Sequence, residues 1–147
     1  MGNKTIIGLS IVGAAVIVII FSTVNLGLKN PSQQSSTNVS NSSSAYLDYS
    51  EEVFKAEAAK GNKIVLFFRA SWCPVCYEID KEFHDHFNDV PPGISVLKVD
   101  YVSSANDSLK KKYAITYQHT FVQIDKDGNE ITKWNGGGID NLKKYLK

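Results

Sequence analysis

The chain has 147 residues, room for one domain and an appendage. Sixteen Lys and Arg against fifteen Asp and Glu leave a net charge of +1, which removes any electrostatic case for nucleic acid or an acidic partner. There are only two cysteines and so no second Cys pair, which argues against a four-ligand zinc site.

Between Thr5 and Leu28 no residue is charged, and Ile6 to Phe21 is almost wholly aliphatic. At a rise of about 1.5 Å per residue, about 20 apolar residues cross a bilayer. Residues 1–29 are therefore expected to be a membrane anchor, with a transmembrane helix over about 5–28. Lys4 and Lys29 flank it and nearly balance, so flanking charge does not orient it. A cleaved signal peptide is the rival reading. It needs a shorter apolar core and a small-x-small site, for which Ser22-Thr23-Val24 is poor. No cysteine stands directly after the apolar segment, so no lipoprotein anchor is expected.

Residues 30–45 change abruptly to Ser, Asn and Gln, with Pro31 near the start. Such composition buries no core and is expected to be a flexible tether. Asn38-Val39-Ser40 and Asn41-Ser42-Ser43 match the glycan acceptor pattern, as chance alone provides in a Ser/Asn-rich stretch. An apolar span followed by a tether implies a domain, 46–147, held near a membrane surface. A cysteine pair suits an extracytoplasmic compartment.

Within the domain, Asp48-Tyr49-Ser50-Glu51 has the shape of a capping box, and Val53, Phe54, Ala56 and Ala58 follow before Gly61 stops the helix. Ile64 to Phe68 is a continuous apolar run, as expected of a strand buried on both faces. At its end stands Trp72-Cys73-Pro74-Val75-Cys76. Pro74 lacks an N–H and has φ preset, so it suits the first helical position and makes Cys73 the N-cap. The free N–H groups and the positive end of the helix dipole then face the Cys73 sulfur and favour its thiolate. Cys76 lies one turn further in, near enough to close a disulfide and less exposed, as a resolving thiol should be. A structural disulfide and half of a metal site are the alternatives.

The helix from Pro74 is expected to run to about Asn88, with Ile79, Phe83 and Phe87 on one face, until Pro91-Pro92-Gly93 breaks the pattern. Ile94 to Val99 reads as a second strand, and Ser103 to Tyr113 as a second crossover helix ending in Lys110-Lys111-Lys112. Thr120 to Asp125 and Glu130 to Trp134 read as strands joined by Lys126-Asp127-Gly128-Asn129, a hairpin signal. Gly136-Gly137-Gly138 leads into a short helix with Ile139, Leu142, Tyr145 and Leu146 as its apolar stripe. The crossover helix predicts a parallel strand pair and the hairpin an antiparallel one. The fold class is α/β: a three-layer arrangement with a mixed central sheet and helices on both faces, preceded by the transmembrane helix.

From Tyr46 to Lys147 the residues resemble the thioredoxin-like superfamily. Trp72-Cys73-Pro74-Val75-Cys76 is similar to the family's Trp-Cys-x-x-Cys site after its first core strand. Val96-Leu97-Lys98-Val99-Asp100 is similar to its next strand and terminal acid. Tyr113-Ala114-Ile115, Thr120-Phe121-Val122, Asp127-Gly128 and Gly136-Gly137 fall, in order, where the family has comparable segments. The resemblance implies a thiol–disulfide oxidoreductase in which Cys73 attacks a partner disulfide and Cys76 resolves the mixed disulfide. In the oxidising direction a substrate thiolate attacks the Cys73–Cys76 bond. It also implies that Tyr117 and Gln118 line the partner groove through their backbone, with Thr120 in the same loop. Trp72 is either core packing or a wall of that groove, and its place beside Cys73 favours the groove.

Two positions depart from the resemblance. Phe67 stands where many members carry a buried acid that assists proton transfer to the resolving cysteine. His119 stands where the family has a cis-proline that faces the cysteines and keeps metals away. A cis bond before a non-proline residue costs roughly 3–4 kcal/mol, so either the loop bears that strain or the peptide is trans. His119 is then a candidate to stabilise the thiolate, to shuttle the proton that Phe67 cannot, or to complete a Cys2His metal site. A loop histidine turned to solvent is the bland alternative. His84 and His86 do not share a helix face and read as surface residues. Glu78 and Arg69 stand near enough to tune Cys73, or are simply solvated.

These readings converge on a membrane-tethered domain outside the cytoplasm that exchanges disulfides with protein partners. No cofactor and no resident metal are expected, because the chemistry lies in two sulfurs. An integral membrane protein that supplies or accepts electrons is a further expected partner. The rivals are a copper- or iron-type metal-binding module using Cys73, Cys76 and His119, and a non-catalytic interaction domain with a structural disulfide.

Overall fold

The computed structural model describes residues 43–147. The anchor, the expected helix over about 5–28, the glycan acceptor asparagines and most of the tether lie outside the described residues. Among the described residues no helix is long and apolar enough to cross a membrane.

Five strands and four α-helices follow in the order β1 (Ala45–Asp48), α1 (Glu51–Ala59), β2 (Lys63–Arg69), α2 (Pro74–Asp85), β3 (Ile94–Asp100), α3 (Asp107–Lys112), β4 (Thr120–Ile124), β5 (Glu130–Asn135) and α4 (Ile139–Tyr145). The sheet order is β1-β3-β2-β4-β5. Strand β2 is central, parallel to β3 with Val65 opposite Val96, and antiparallel to β4 with Phe67 opposite Phe121. The expected mixed sheet is therefore present. So is the hairpin, in which Asp125 Oδ1 accepts from the N–H groups of Asp127 and Asn129.

Two apolar layers flank the sheet. On one face Val65, Phe67, Val96 and Phe121 pack with Ile79 and Phe83 of α2 and Ile139 and Leu142 of α4. On the other, Ile64, Leu66, Phe68, Leu97 and Val99 pack with Phe54 of α1 and Leu109 of α3. Alternate residues of β2 thus feed opposite layers, as a strand covered on both faces requires. Phe67, Phe121 and Trp134, each from a neighbouring strand, stack at 4.4 Å and 5.3 Å with interplanar angles of 5° and 3°. Each such pair contributes about 0.5–1.5 kcal/mol beyond its buried area.

The structure corrects several boundaries. Ala45 opens β1 rather than ending the tether, and Ser44 Oγ donates to the Pro91 carbonyl at 2.8 Å. This edge strand has four residues and no alternating pattern to announce it. Helix α2 stops at Asp85, not Asn88: His86 leaves helical geometry at φ −126°, and Phe87–Asp89 form a 3-10 turn. That turn brings Phe87 against Tyr46, ring centroids 6.1 Å apart. The expected helix over Ser103–Tyr113 is a 3-10 turn at Ser104–Asn106 followed by α3.

Candidate active site

Sheet topology assembles the site. Strand β2 ends at Arg69 and delivers Cys73, while antiparallel β4 begins at Thr120, opposite Phe68, and brings His119 to the same edge. Residues 46 positions apart in sequence thereby meet, with Cys73 Sγ 3.9 Å from His119 Nδ1.

Cys73 is the N-cap of α2 with Pro74 in its first turn, and its Sγ accepts from the Cys76 backbone N–H at 3.2 Å. Both sulfurs are free thiols, and both are buried among apolar residues. Their environments nevertheless push them apart. Burial alone raises Cys73, but hydrogen bonds from the Cys76 thiol, the Cys76 backbone, the Gln118 side chain and the Val75 backbone outweigh it and hold Cys73 below the ordinary thiol value. Burial is also the largest influence on Cys76. Together with its hydrogen bond to Cys73 it exceeds the lowering by backbone groups of Ala70 and His119, and Cys76 is pushed up to about 11. One sulfur is prepared as a nucleophile while its neighbour keeps its proton.

No peptide bond among the described residues is cis, so the His119 peptide is trans. The backbone departs from the ordinary elsewhere: His119 has φ 54°, in the left-handed region that disfavours residues with a Cβ. The Gly136 N–H, just past the end of β5, donates to the His119 carbonyl at 2.7 Å and tethers this loop to the sheet. Tyr117 packs its ring 5.6 Å from the imidazole. His119 is half-buried, not turned wholly to solvent.

Around the buried sulfurs Trp72, Val75 and Tyr117 are exposed, Trp72 by 61%. Gln118 is half-buried. Thr120 is buried, its hydroxyl 2.9 Å from the Tyr117 carbonyl and 2.8 Å from Asn135 Oδ1, which ties the loop to the sheet. Phe67 is fully buried against Phe121, so no acid lies at that position. Arg69 pairs with Asp80 of α2 at 3.3 Å rather than with Cys73, and Tyr46 donates its phenolic O–H to the same carboxylate. Glu78 and His86 are exposed, and His84 is exposed beside Asp85.

Sequence reasoning missed the Gln118 side chain, which it assigned to the groove only, and the Tyr46–Asp80–Arg69 cluster that seats α2 on β2. It also missed Glu82, whose Oε1 accepts from the Ile139 N–H at 2.9 Å at the start of α4. No spacing rule links these residues. The only available signal was that Asp80 and Glu82 flank a helix face otherwise apolar at Ile79 and Phe83.

The profile of the family described as Thioredoxin matches residues 45–147. The chain is 31% identical over 101 residues to protein disulfide isomerase-like 1-2 of Oryza sativa subsp. japonica, covering 64% of this chain and 19% of that protein. To a thioredoxin H-type of Oryza sativa subsp. indica it is 33% identical over 102 residues, covering 67% and 77% respectively. It thus spans about a fifth of the first relative and about three quarters of the second. Among solved structures, Trxlp from Edwardsiella tarda superposes with a TM-score of 0.53 at 22% identity, over 67% of this chain and 95% of that one, a likeness of fold.

Proposed function

The chain belongs to the thioredoxin family as a thioredoxin-type thiol–disulfide oxidoreductase, and on that premise we propose that it exchanges disulfides with protein partners at an extracytoplasmic membrane surface. Members of this family act on protein thiols and disulfides. The observation that carries the reading is the asymmetry of the pair: Cys73 is held low at the start of α2 while Cys76 is pushed up to about 11 one turn away.

The steps follow from that asymmetry. The Cys73 thiolate attacks one sulfur of a substrate disulfide, forming a Cys73–substrate bond and releasing the other sulfur as thiolate. Cys76 then loses its proton and attacks Cys73 Sγ, closing Cys73–Cys76 and releasing the second substrate thiolate. Two electrons pass to the substrate, and the reverse sequence oxidises a dithiol. With Phe67 in place of an acid, the groups nearest the sulfurs that can take the Cys76 proton are His119 and the departing thiolate. His119 touches both cysteines, with its ring beside Cys73 and its backbone directed at Cys76. We assign it as the proton acceptor in the resolving step. Exposed Trp72, Val75 and Tyr117 form the apolar rim against which a substrate segment lies, with Gln118 and Thr120 completing the loop.

Membrane attachment rests on the uncharged run between Thr5 and Leu28 and the Ser/Asn/Gln tether after it. An anchored domain outside the cytoplasm needs an electron source or sink, and an integral membrane dithiol protein supplies that role. The deciding experiment equilibrates the full chain with glutathione buffers under chelator and measures the Cys73–Cys76 potential. A value near about −270 mV assigns a reductase fed by a membrane donor, and one near about −120 mV an oxidase. A pair that never equilibrates reversibly overturns the exchange reading. Alkali extraction and protease protection of membranes carrying the full chain test the anchor and its orientation.

A further inference from the structure

Cys73, Cys76 and His119 present one donor atom each, two sulfurs and one imidazole nitrogen, all within 4.8 Å of one another. A cation bound at about 2.0–2.3 Å to thiolate and imidazole holds its donors about 3.5–4 Å apart. The separation between Cys73 Sγ and His119 Nδ1, 3.9 Å, already has that value. Two independent features hold the three together. The Cys73 sulfur is fixed by the Cys76 N–H at the helix start. The imidazole is fixed by the left-handed backbone at His119 and by its contact with Tyr117. Among the described residues no further His, Cys, Asp or Glu joins the group.

The geometry points to a metal site: in its reduced form the domain binds one soft d10 cation, Cu(I), through Cys73 Sγ, Cys76 Sγ and His119 Nδ1. Thiolate sulfur selects soft cations, and imidazole accepts copper as readily as zinc. Zinc on these three donors needs a water as its fourth ligand, whereas Cu(I) is satisfied by two or three soft donors and asks for no water among apolar neighbours. The sulfurs share an apolar cluster with Phe67 and Phe121, an environment that favours a low-charge complex of few ligands. Binding replaces the thiol protons, which pass to solvent, and no electron moves. The ion and a substrate disulfide therefore compete for Cys73, and the oxidised pair holds no metal.

The test uses the full chain, reduced and anaerobic, titrated with Cu(I) supplied as its bicinchoninate complex and read by loss of that complex's absorbance. One equivalent is expected to transfer per chain, and none to the disulfide form. His119→Asn keeps a residue that tolerates the left-handed backbone but offers no soft donor. It is expected to lower the affinity by at least about tenfold, while His119→Cys restores it. Melting curves of both variants verify the fold. Copper that stays with the chelator, a His119→Asn chain that binds as tightly as the parent, or a chain that takes Zn(II) and leaves Cu(I) overturns the site. Insulin reduction under chelator is scored separately, so loss of the copper site and loss of the exchange reading give different results.

Discussion

The two ends of the sheet handle buried ionisable groups in opposite ways. At the end where β2 and β3 begin, the Glu57 carboxylate is buried yet saturated. Its Oε2 accepts from Ser95 Oγ at 2.6 Å and Asn62 Nδ2 at 3.0 Å, and its Oε1 from Lys60 Nζ at 2.5 Å. Burial alone would raise it, but Lys60, Ser95 and Asn62 outweigh burial and hold it below the ordinary carboxylate value. At the other end the Cys76 thiol is equally buried and has few donors, and it rises to about 11. A buried group given all its partners becomes a fixed part of the framework. One with few of them keeps its proton and stays neutral, and the sheet holds both within a single strand's length.

The sharpest break of this contrast falls on the cysteines. Cys73→Ser is expected to reduce disulfide exchange to background, measured by insulin reduction. Cys76→Ser retains the first attack and accumulates a mixed disulfide visible as a mass increase on incubation with substrate. A Cys76→Ser chain that turns over like the parent would falsify the division of roles. The next effect falls at the opposite end. Glu57→Ala strips the partner from Asn62, Ser95 and Lys60 and is expected to cost about 2–4 kcal/mol in urea unfolding. Cys76→Ala removes only the weaker hydrogen bonds of a neutral thiol and costs about half as much. Equal losses from the two would remove the distinction between framework and reactive end.

Acid sharpens the comparison further. Because the folded state holds Glu57 below its ordinary value of 4.5, its contribution is complete above that value and is lost as pH falls through the lower folded value. The stability difference between the parent and Glu57→Gln, from urea midpoints, is therefore expected to shrink below about pH 4.5 and to stay level above it. The smallest effect concerns Gln118. Removing its side-chain hydrogen bond in Gln118→Ala is expected to move the Cys73 titration upward, followed by thiolate absorbance at 240 nm, with stability little changed. A Cys73 titration that does not move would show that the helix start alone sets the thiolate.

Much of this contrast was legible in the sequence at one end and little at the other. Ile64 to Phe68, followed by Cys73-Pro74-Val75-Cys76, announced a buried strand, a helix start and a reactive N-cap sulfur, because each follows from local rules of hydropathy and capping. The place of His119 came from chain order. Its left-handed backbone did not, since the hydrogen bond that accompanies it comes from Gly136, just past β5 and 17 positions away. Ser95 was illegible for a related reason. Flanked by Ile94 and Val96 it has the alternation of a half-exposed strand, yet it is fully buried to reach Glu57, 38 positions away. Tyr46, Arg69 and Asp80 likewise meet only after β1 joins the sheet edge. Pairings of this kind depend on topology, and no window of neighbouring residues contains them.

The chain has only two tryptophans, and the fold sends them to contrary surroundings. Trp72 stands in water beside the reactive sulfur, while Trp134 is sealed at the end of the three-ring stack. Their emission therefore separates by wavelength: a red component that thiol oxidation or a docked peptide quenches or shifts, and a blue component that changes only when the sheet melts. The protein carries an unlabelled optical readout of both its chemistry and its integrity, and the two can be followed in one cuvette.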